Sequence, residues 1–428
     1  MFAFNNKRGP DKFRGLQEFG PYQQIGTKDP PTFGFVFPSQ YSDYANRLYL
    51  ALKNGLGYFR GVESAFRFTL QKDHVFPVTG FSLPQGAKLQ DAGPAYTDAI
   101  LSWYERNNER PDMFFILHPR TPTWELNSPY YRTKAALLEK GILSQSVTFD
   151  LLDDASVFKW SVANIALAAF VKLGGVPWLI DGVQDDQDLI IGVGRADVFD
   201  PIERTATQYI GYTACFSATG NFKFVTLANV ARTHKDYLDS LQKVVSSSIN
   251  KAEQSGSHVT SVTLHLPKEV SYEESDVVAR AVRNQEARTV AQISIAKVTD
   301  EASFFAVNEN SPDGLPSRGT VIQTSDDDFM LYTEGREERQ SFRNRIPTAL
   351  RIAPQSIQIT ESQTMEIIRQ IHNISQVNWR AFNARSRPIS ILYGELIAKL
   401  LSHVPQNSVG NLYTKEALTM LEERMWFI

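Results

Sequence analysis

Residues 188–199 read "DLIIGVGRADVF". Leu189 to Val193 is a run of mostly branched apolar residues of strand length, closed by Gly194 and Arg195. Branched side chains suit a pleated surface, so the run predicts a buried strand that ends near Gly194, with Asp197 in a turn beyond it. Gly192 and Gly194 begin a G-x-G-x-x-G fingerprint, but Asp197 stands where its third glycine belongs, and no helix signal follows. A pyrophosphate needs a helix N-terminus there, so the dinucleotide motif fails its structural context.

Working outward, the chain before this strand alternates strand and helix. "TFGFVFP" (32–38) and "DMFFILHP" (112–119) read as strands, and "YANRLYLALKNG" (44–55) as a helix stopped by Gly55. "NSPYYRTKAALLEKG" (127–141) predicts a helix with Ser128 as cap, Pro129 at its first position and Gly141 past its end. "ILSQSVTF" is the next strand, and "VFKWSVANIALAAFVKLGG" an apolar helix closed by Gly174 and Gly175. Alternation of this kind implies a layered Rossmann-like sheet over 33–178, entered from an N-terminal segment at 1–32.

After the acidic "DGVQDDQD" (181–188) the order changes. Three strands come first, the second and third joined at Gly220 and Asn221, with Cys215 in the second. The long helix "HKDYLDSLQKVVSSSINKAEQ", the strand "HVTSVTLHL" and two capped helices follow, the caps being Ser271 with Glu274 and Thr360 with Gln363. "ISILYGELIAKLLSHV" reads as the terminal helix. A meander followed by helices is the order of ribonuclease H-like domains.

The 428 residues, 42% hydrophobic and 21% charged, suit a globular chain of two or three domains. One cysteine rules out an internal disulfide and cysteine-rich zinc clusters, and fits a cytoplasmic setting. The seven histidines form no H-E-x-x-H. The start shows no basic-then-apolar leader, and no uninterrupted apolar run approaches membrane-spanning length. A net charge of −3 opposes indiscriminate coating of nucleic acid. Charge is uneven, however: between Ser341 and Leu400 eight Arg and Lys face three Glu. That stretch is either a solvated face or a phosphate-facing one.

Tyr130 and Lys134, four apart, share a face at the start of their helix, where unpaired N–H groups favour an anion. Gln145 follows on the next strand, and Asn164, Ala168 and Lys172 line one face of the next helix. Together they compose a terminal-phosphate pocket, although each alone suits ordinary packing.

The set Tyr130, Lys134, Gln145 and Lys172, with "EFGPYQQ", "VKLGGVPW" and "VNWRAFNARSRPISILYGELIAKL", resembles the short prokaryotic Argonautes over nearly the whole chain. The resemblance implies an α/β chain: a Rossmann-like MID domain (33–178), then a ribonuclease H-like PIWI domain (179–428). It implies that Tyr130, Lys134, Gln145 and Lys172, with Asn164 on the same face, hold the 5′-phosphate of a guide strand. The carboxylate of Ile428 would ligate Mg²⁺ beside that phosphate, and simple core docking of "MWFI" is the competing reading. Arg380, Arg385, Arg387, Asn378 and Asn383 would follow guide and target backbones, with Trp379 in the core. The PIWI family cuts with a carboxylate-rich, two-metal centre. Here Gly194 and Leu266, after His265, stand at acid positions, and Glu395 alone keeps one. The implied function is recognition without slicing, with an RNA (or DNA) guide and a DNA target. The implied partner is an APAZ-domain effector protein of sirtuin-like, TIR or nuclease type, serving antiviral and anti-plasmid immunity. The alternative is an active endonuclease using Asp197 and Glu395 as displaced carboxylates.

Overall fold

The computed structural model describes residues 1–428 except 27–29, 84–91, 123–127, 184–186, 201–204, 232, 268–270, 284–289, 291, 301–303, 336–348, 355–359, 383–386 and 405–410. The chain divides into two compact units. The first comprises Met1–Trp178, Trp379–Phe382 and His403–Ile428; the second comprises Leu179–Asn378 and Asn383–Ser402.

The first unit opens with the antiparallel strands β1 (Phe2–Phe4) and β2 (Lys7–Gly9) and helix α1 (Lys12–Phe19). Asp11 caps α1 by accepting the Arg14 N–H at 2.7 Å. There follow β3 (Phe33–Val36), α2 (Ser42–Asn54), α3 (Val62–Phe66), β4 (Val75–Val78), α4 (Gly93–Arg106) and β5 (Met113–His118). Next come α5 (Pro129–Glu139), β6 (Leu143–Thr148), α6 (Phe149–Asp153) and α7 (Ala155–Lys172). Strands β4, β3, β5 and β6 form a parallel sheet in that order. Every residue of β3 and β5 is buried, as expected where helices cover both faces. By length and composition α7 could cross a bilayer, contrary to the reading of the sequence. Most of it is buried, so its apolar character belongs to the core.

The second unit contains the two-residue β7 (Leu179–Ile180), then the meander β8 (Asp188–Asp200), β9 (Thr205–Ser217) and β10 (Phe222–Ala231). Helix α8 (His234–Gln254), β11 (Ser261–Leu266), α9 (Tyr272–Arg283) and β12 (Gln292–Thr299) follow. The hairpin β13 (Val321–Ser325) and β14 (Asp328–Leu331), β15 (Leu350–Pro354), α10 (Glu361–Ser375) and α11 (Ile389–Leu401) complete it. Eight strands make one mixed sheet, ordered β10-β9-β8-β11-β12-β15-β14-β13, with β8, β11 and β12 mutually parallel. Leu189, Ile191 and Val193 face the cluster built by α8 and α9. By the alternation of a strand, Gly192 and Gly194 face the other way, toward α11. This is the ribonuclease H-like arrangement expected from the order of elements.

Two expectations change. The strand at 188 does not stop at Gly194: β8 pairs with β9 as far as Asp200, so Asp197 is a strand residue and not a turn residue. The long antiparallel partner carries it past its polar stretch. Nor is α11 terminal, because α12 (Lys415–Glu423) follows, capped by Thr414. Met425, Trp426, Phe427 and Ile428 are then buried in the first unit. Burial of four large apolar side chains is worth about 1.5–3 kcal/mol each, enough to bring the chain back.

Candidate functional site

The first unit gathers four of the expected residues. Ser128 caps α5 by accepting the Tyr131 N–H at 3.3 Å, which places Tyr130 in the first turn and Lys134 one turn on. Lys172 ends α7, and Gln145 sits on β6 between the two helices' lysines. Lys134 Nζ donates to the Ser144 carbonyl at 3.2 Å, and Lys172 Nζ donates to the same oxygen at 2.9 Å. Lys172 also donates to Gln145 Oε1 at 2.7 Å. Tyr130 is half-buried at the start of α5, and among the described residues its hydroxyl has no partner.

Lys134 and Lys172 are only 5% and 2% exposed. Burial draws Lys134 down to about 7 and holds Lys172 well below the usual lysine value, the latter further repelled by Lys134 and Arg380. Burial also raises Tyr130 above a normal phenol, partly offset by Arg380. Among the described residues no carboxylate pairs with either lysine. The donors therefore fit an anion. They do not fit the expected Mg²⁺: the neutral oxygens of Ser144 and Gln145 are already taken by ammonium groups, and hard cations need oxygen ligands, usually carboxylates. Ile428 belongs to the buried terminal cluster.

Asn164 has a different partner from the one expected. Its Oδ1 accepts the Phe382 N–H at 3.2 Å, which ties the returning segment to α7. The same segment carries Arg380, which is exposed and acts on Lys172 and Tyr130. Arg380 was expected on a nucleic-acid backbone; the structure makes it the third cation of this pocket. Trp379 is core, its Nε1 donating to the Trp178 carbonyl at 3.1 Å.

In the second unit the space beside β8 is filled. A side chain at Gly192 would meet the Ser390 carbonyl at 2.3 Å, because α11 packs its first turn against that glycine. A side chain at Gly194 would meet the Tyr212 hydroxyl at 2.0 Å. Tyr212 is the cross-strand partner of Gly194, and its ring covers the bare glycine while its hydroxyl donates to the Gly394 carbonyl of α11. His265, paired in register with Gly192, turns to the same side, its Nδ1 2.8 Å from Ser390 Oγ. Burial depresses it to about 3, so it stays neutral. Leu266, the expected acid position, faces the α8–α9 core instead, and His265 is the neighbour that turns toward α11.

Residues 122–405 match the Piwi domain family, and that span is well over half of the chain. The chain belongs to the Piwi family. It is 22% identical over 97% of its length to the "Protein argonaute" of Cereibacter sphaeroides, and covers 56% of that protein. It is also 22% identical to the "Piwi protein" of Archaeoglobus fulgidus, over 71% of this chain and 73% of the other. Its fold is similar to Clostridium butyricum Argonaute bound to a guide DNA and a 19-mer target DNA, with TM-score 0.68 and 17% identity, covering 95% of this chain and 52% of that one. Drosophila Piwi gives TM-score 0.70 at 14% identity, covering 100% and 55%. The chain thus spans about half the length of the Argonaute and of these structures.

Within this Piwi chain the remaining expected residues fall as follows. Glu395 accepts from Arg387, whose Nε also donates to Asp300 at 3.1 Å; burial raises Glu395 despite the arginine. Arg387 was expected on phosphates, but its guanidinium is held between two carboxylates. Asn378 is fully buried, with the Tyr393 hydroxyl 3.5 Å from its Oδ1, so it does not face a nucleic acid. Asn383 and Arg385 lie outside the described residues. Asp197 is three residues from Gly194 and so on the opposite face, paired with Arg195 at 2.8 Å and acting on Tyr237 of α8. It does not share a site with Glu395. Sequence reasoning missed Tyr212, His265's orientation and Ser144, and set Arg380 among the backbone contacts rather than beside Lys172. Only Tyr212 left a signal, since the hairpin register sets an aromatic opposite a glycine.

Proposed function

We propose that this Piwi chain is a guide-dependent recognition protein that holds a 5′-phosphorylated strand in the first unit, pairs it with a complementary target, and leaves the target uncut. The observation that carries the reading is the pair of buried lysines that no carboxylate among the described residues partners. An unpaired buried ammonium costs several kcal/mol, and such a cost is kept where a ligand supplies the missing charge. A terminal phosphate would supply the negative charge that no described carboxylate gives Lys134 and Lys172, and Tyr130 would stack on the first base. The first unit then acts as a MID domain. Likeness to an Argonaute solved with guide and target DNA supports the strand-pairing role.

The filled space beside β8 supports the uncut target: Gly194 and His265 stand where carboxylates were expected, and the described residues gather no cluster of three metal-ligating side chains. Resemblance to short Argonautes supports an RNA guide, a DNA target, a cytoplasmic immune role and an APAZ-effector partner. The exposed ridge Phe304, Phe305 and Val307 in the second unit suits a protein partner. Filter binding of guides that differ only in a 5′-phosphate or 5′-hydroxyl tests the pocket. The phosphate should improve affinity, and Lys172→Ala should weaken that guide about 10- to 100-fold, the worth of one charge-assisted hydrogen bond. Equal binding of both guides by the wild-type chain would refute the reading.

A further inference from the structure

We infer that Tyr58 and Trp160 form a stacking platform for an unpaired stretch of DNA or RNA, in the first unit but away from the lysine pocket. Trp160 lies in the second turn of α7, about 18 Å along the helix axis from Lys172 at its end. The Tyr58 and Trp160 rings stack with centroids 5.1 Å apart, yet they remain 68% and 58% exposed. Leu56, two residues before Tyr58, and Val157, one helical turn before Trp160, are exposed as well. Adjacent apolar side chains left in water mark a contact surface, whereas scattered ones need no explanation. The turn that carries Tyr58 is firmly built. Leu56 and Phe59 exchange backbone hydrogen bonds of 2.9 and 3.2 Å, closing a turn with Gly57 and Tyr58 at its tip. Phe59 is buried, and the Arg60 N–H donates to Gln17 Oε1 at 3.1 Å, which anchors the far side of the turn. A side chain at Gly55 would run into the Phe59 carbonyl and one at Gly61 into the Lys53 carbonyl, and both glycines hold positive φ. A side chain at Gly57 would touch Lys159, so the tip lies against α7. Tyr58 is thus held out in water in a fixed place, which spares a ligand the entropy of ordering it.

The charges around the rings choose the ligand. Lys159 Nζ stands 5.6 Å from the Trp160 ring centre, and the Arg47 guanidinium 5.9 Å from the ring of Phe158, two residues earlier on α7. Arg60 follows the turn, and Lys53, at the end of α2, donates to the neutral Tyr49 hydroxyl at 3.2 Å. Among the described residues none of these four cations is in an ion pair. The acids of these and the adjoining elements are Glu18, Asp43, Glu63, Asp150, Asp153 and Asp154. Asp153 accepts the Tyr44 hydroxyl at 2.6 Å, near the start of α2, and Asp154 caps α7. Glu63 belongs to the first turn of α3, and Glu18 to α1 beside Gln17. Contacts between a cation and an exposed ring are weak, so Lys159 can turn to a phosphate instead. An unpaired base offers a π-face to either ring and a phosphate beside it to Lys159 and Arg60. A duplex covers its base faces, and an acidic peptide would meet the cations but leave the rings unused. Rings and cations together fit an unpaired strand, with little regard to its sequence.

The test uses the full chain and a single strand of about 12 nucleotides without a 5′-phosphate, so that its outcome does not depend on the lysine pocket. Made as DNA and as RNA, each carrying iodouracil, the strand is irradiated on the protein and the crosslinked peptides are mapped. Tyr58 or Trp160 should carry the base from both strands. By fluorescence anisotropy, Trp160→Ala should weaken the single strand about 5- to 150-fold, the worth of one base stacked on an aromatic ring. Trp160→Phe should restore most of that affinity. Lys159→Gln should lower the slope of log affinity against log salt by about 0.7. Both side chains are exposed, so circular dichroism should show the variants folded like the wild type. Crosslinks confined to other peptides, or affinity unchanged in Trp160→Ala, would overturn the inference. If Trp160→Ala instead abolished self-association of the chain in gel filtration with strand binding intact, the patch would be a protein contact and the inference would also fail.

Discussion

In the first unit Lys134 and Lys172 are buried with no carboxylate beside them; in the second, Arg387 lies between Asp300 and Glu395, and Tyr212 fills the space at Gly194. Among the described residues, one interior buries two lysines without a carboxylate, and the other packs Ser390 and Tyr212 against Gly192 and Gly194. A polar interior that is satisfied from within needs nothing from outside. One that is left unsatisfied costs stability until a ligand arrives, and this contrast is what the proposed function rests on.

The largest effect should come from reopening the closed centre. Gly194→Asp sets a side chain on the Tyr212 hydroxyl, and overpacking with a buried carboxylate should cost about 3 kcal/mol or more in urea unfolding. Adding Tyr212→Ala should return part of that loss, a coupling of about 1 kcal/mol or more in the double-mutant cycle. A neutral Gly194→Asp would mean that the space is not filled.

At the open pocket the sign reverses. Lys134→Met replaces a buried amine by an apolar chain of similar length and should stabilise the unliganded protein by about 1–4 kcal/mol while weakening the phosphorylated guide. Lys134 titrates near 7 folded and near 10.5 unfolded, so between those values the unfolded state binds more protons. Wild-type stability should therefore rise with pH across that window relative to the variant, and melting curves at pH 7 and 9 measure it. Parallel pH dependence in both proteins would contradict the burial cost.

Smaller effects sharpen the contrast. EDTA should leave the 5′-phosphate preference unchanged within about twofold; a loss of the preference would restore the Mg²⁺ site expected at Ile428. Asp197→Ala should shift stability by no more than about 1 kcal/mol, since its pair with Arg195 is largely exposed. A larger loss would show that Asp197 has a role beyond that surface pair.

What could be read in the sequence was local. The cap at Ser128, the boxes at Thr360 with Gln363 and at Ser271 with Glu274, and helix His234–Gln254 are set by residues three or four apart, and all are present. Lys134 and Lys172 were legible as helix-face residues, but their shared carbonyl was not, because β6 brings Ser144 to both through tertiary packing. Arg380 comes beside Lys172, and Asn164 accepts from Phe382, only because the chain returns to the first unit after about 200 residues. The strand at 188 was read too short, since its partner β9 and not its own composition extends it to Asp200. That length decides which face Asp197 takes. Gly194 was read as the end of that strand, whereas Gly192 and Gly194 each mark a close approach, from α11 and from Tyr212.

The central claim is that one unit holds a strand and the other cannot cut its partner. Load the chain with a 5′-phosphorylated guide, add a labelled complementary target with Mg²⁺ or Mn²⁺, and resolve bound and free target on a native gel and fragments on a denaturing one. The account predicts target retained by complementarity at full length. Guide-directed cleavage at a fixed position, lost in Glu395→Ala, would contradict it.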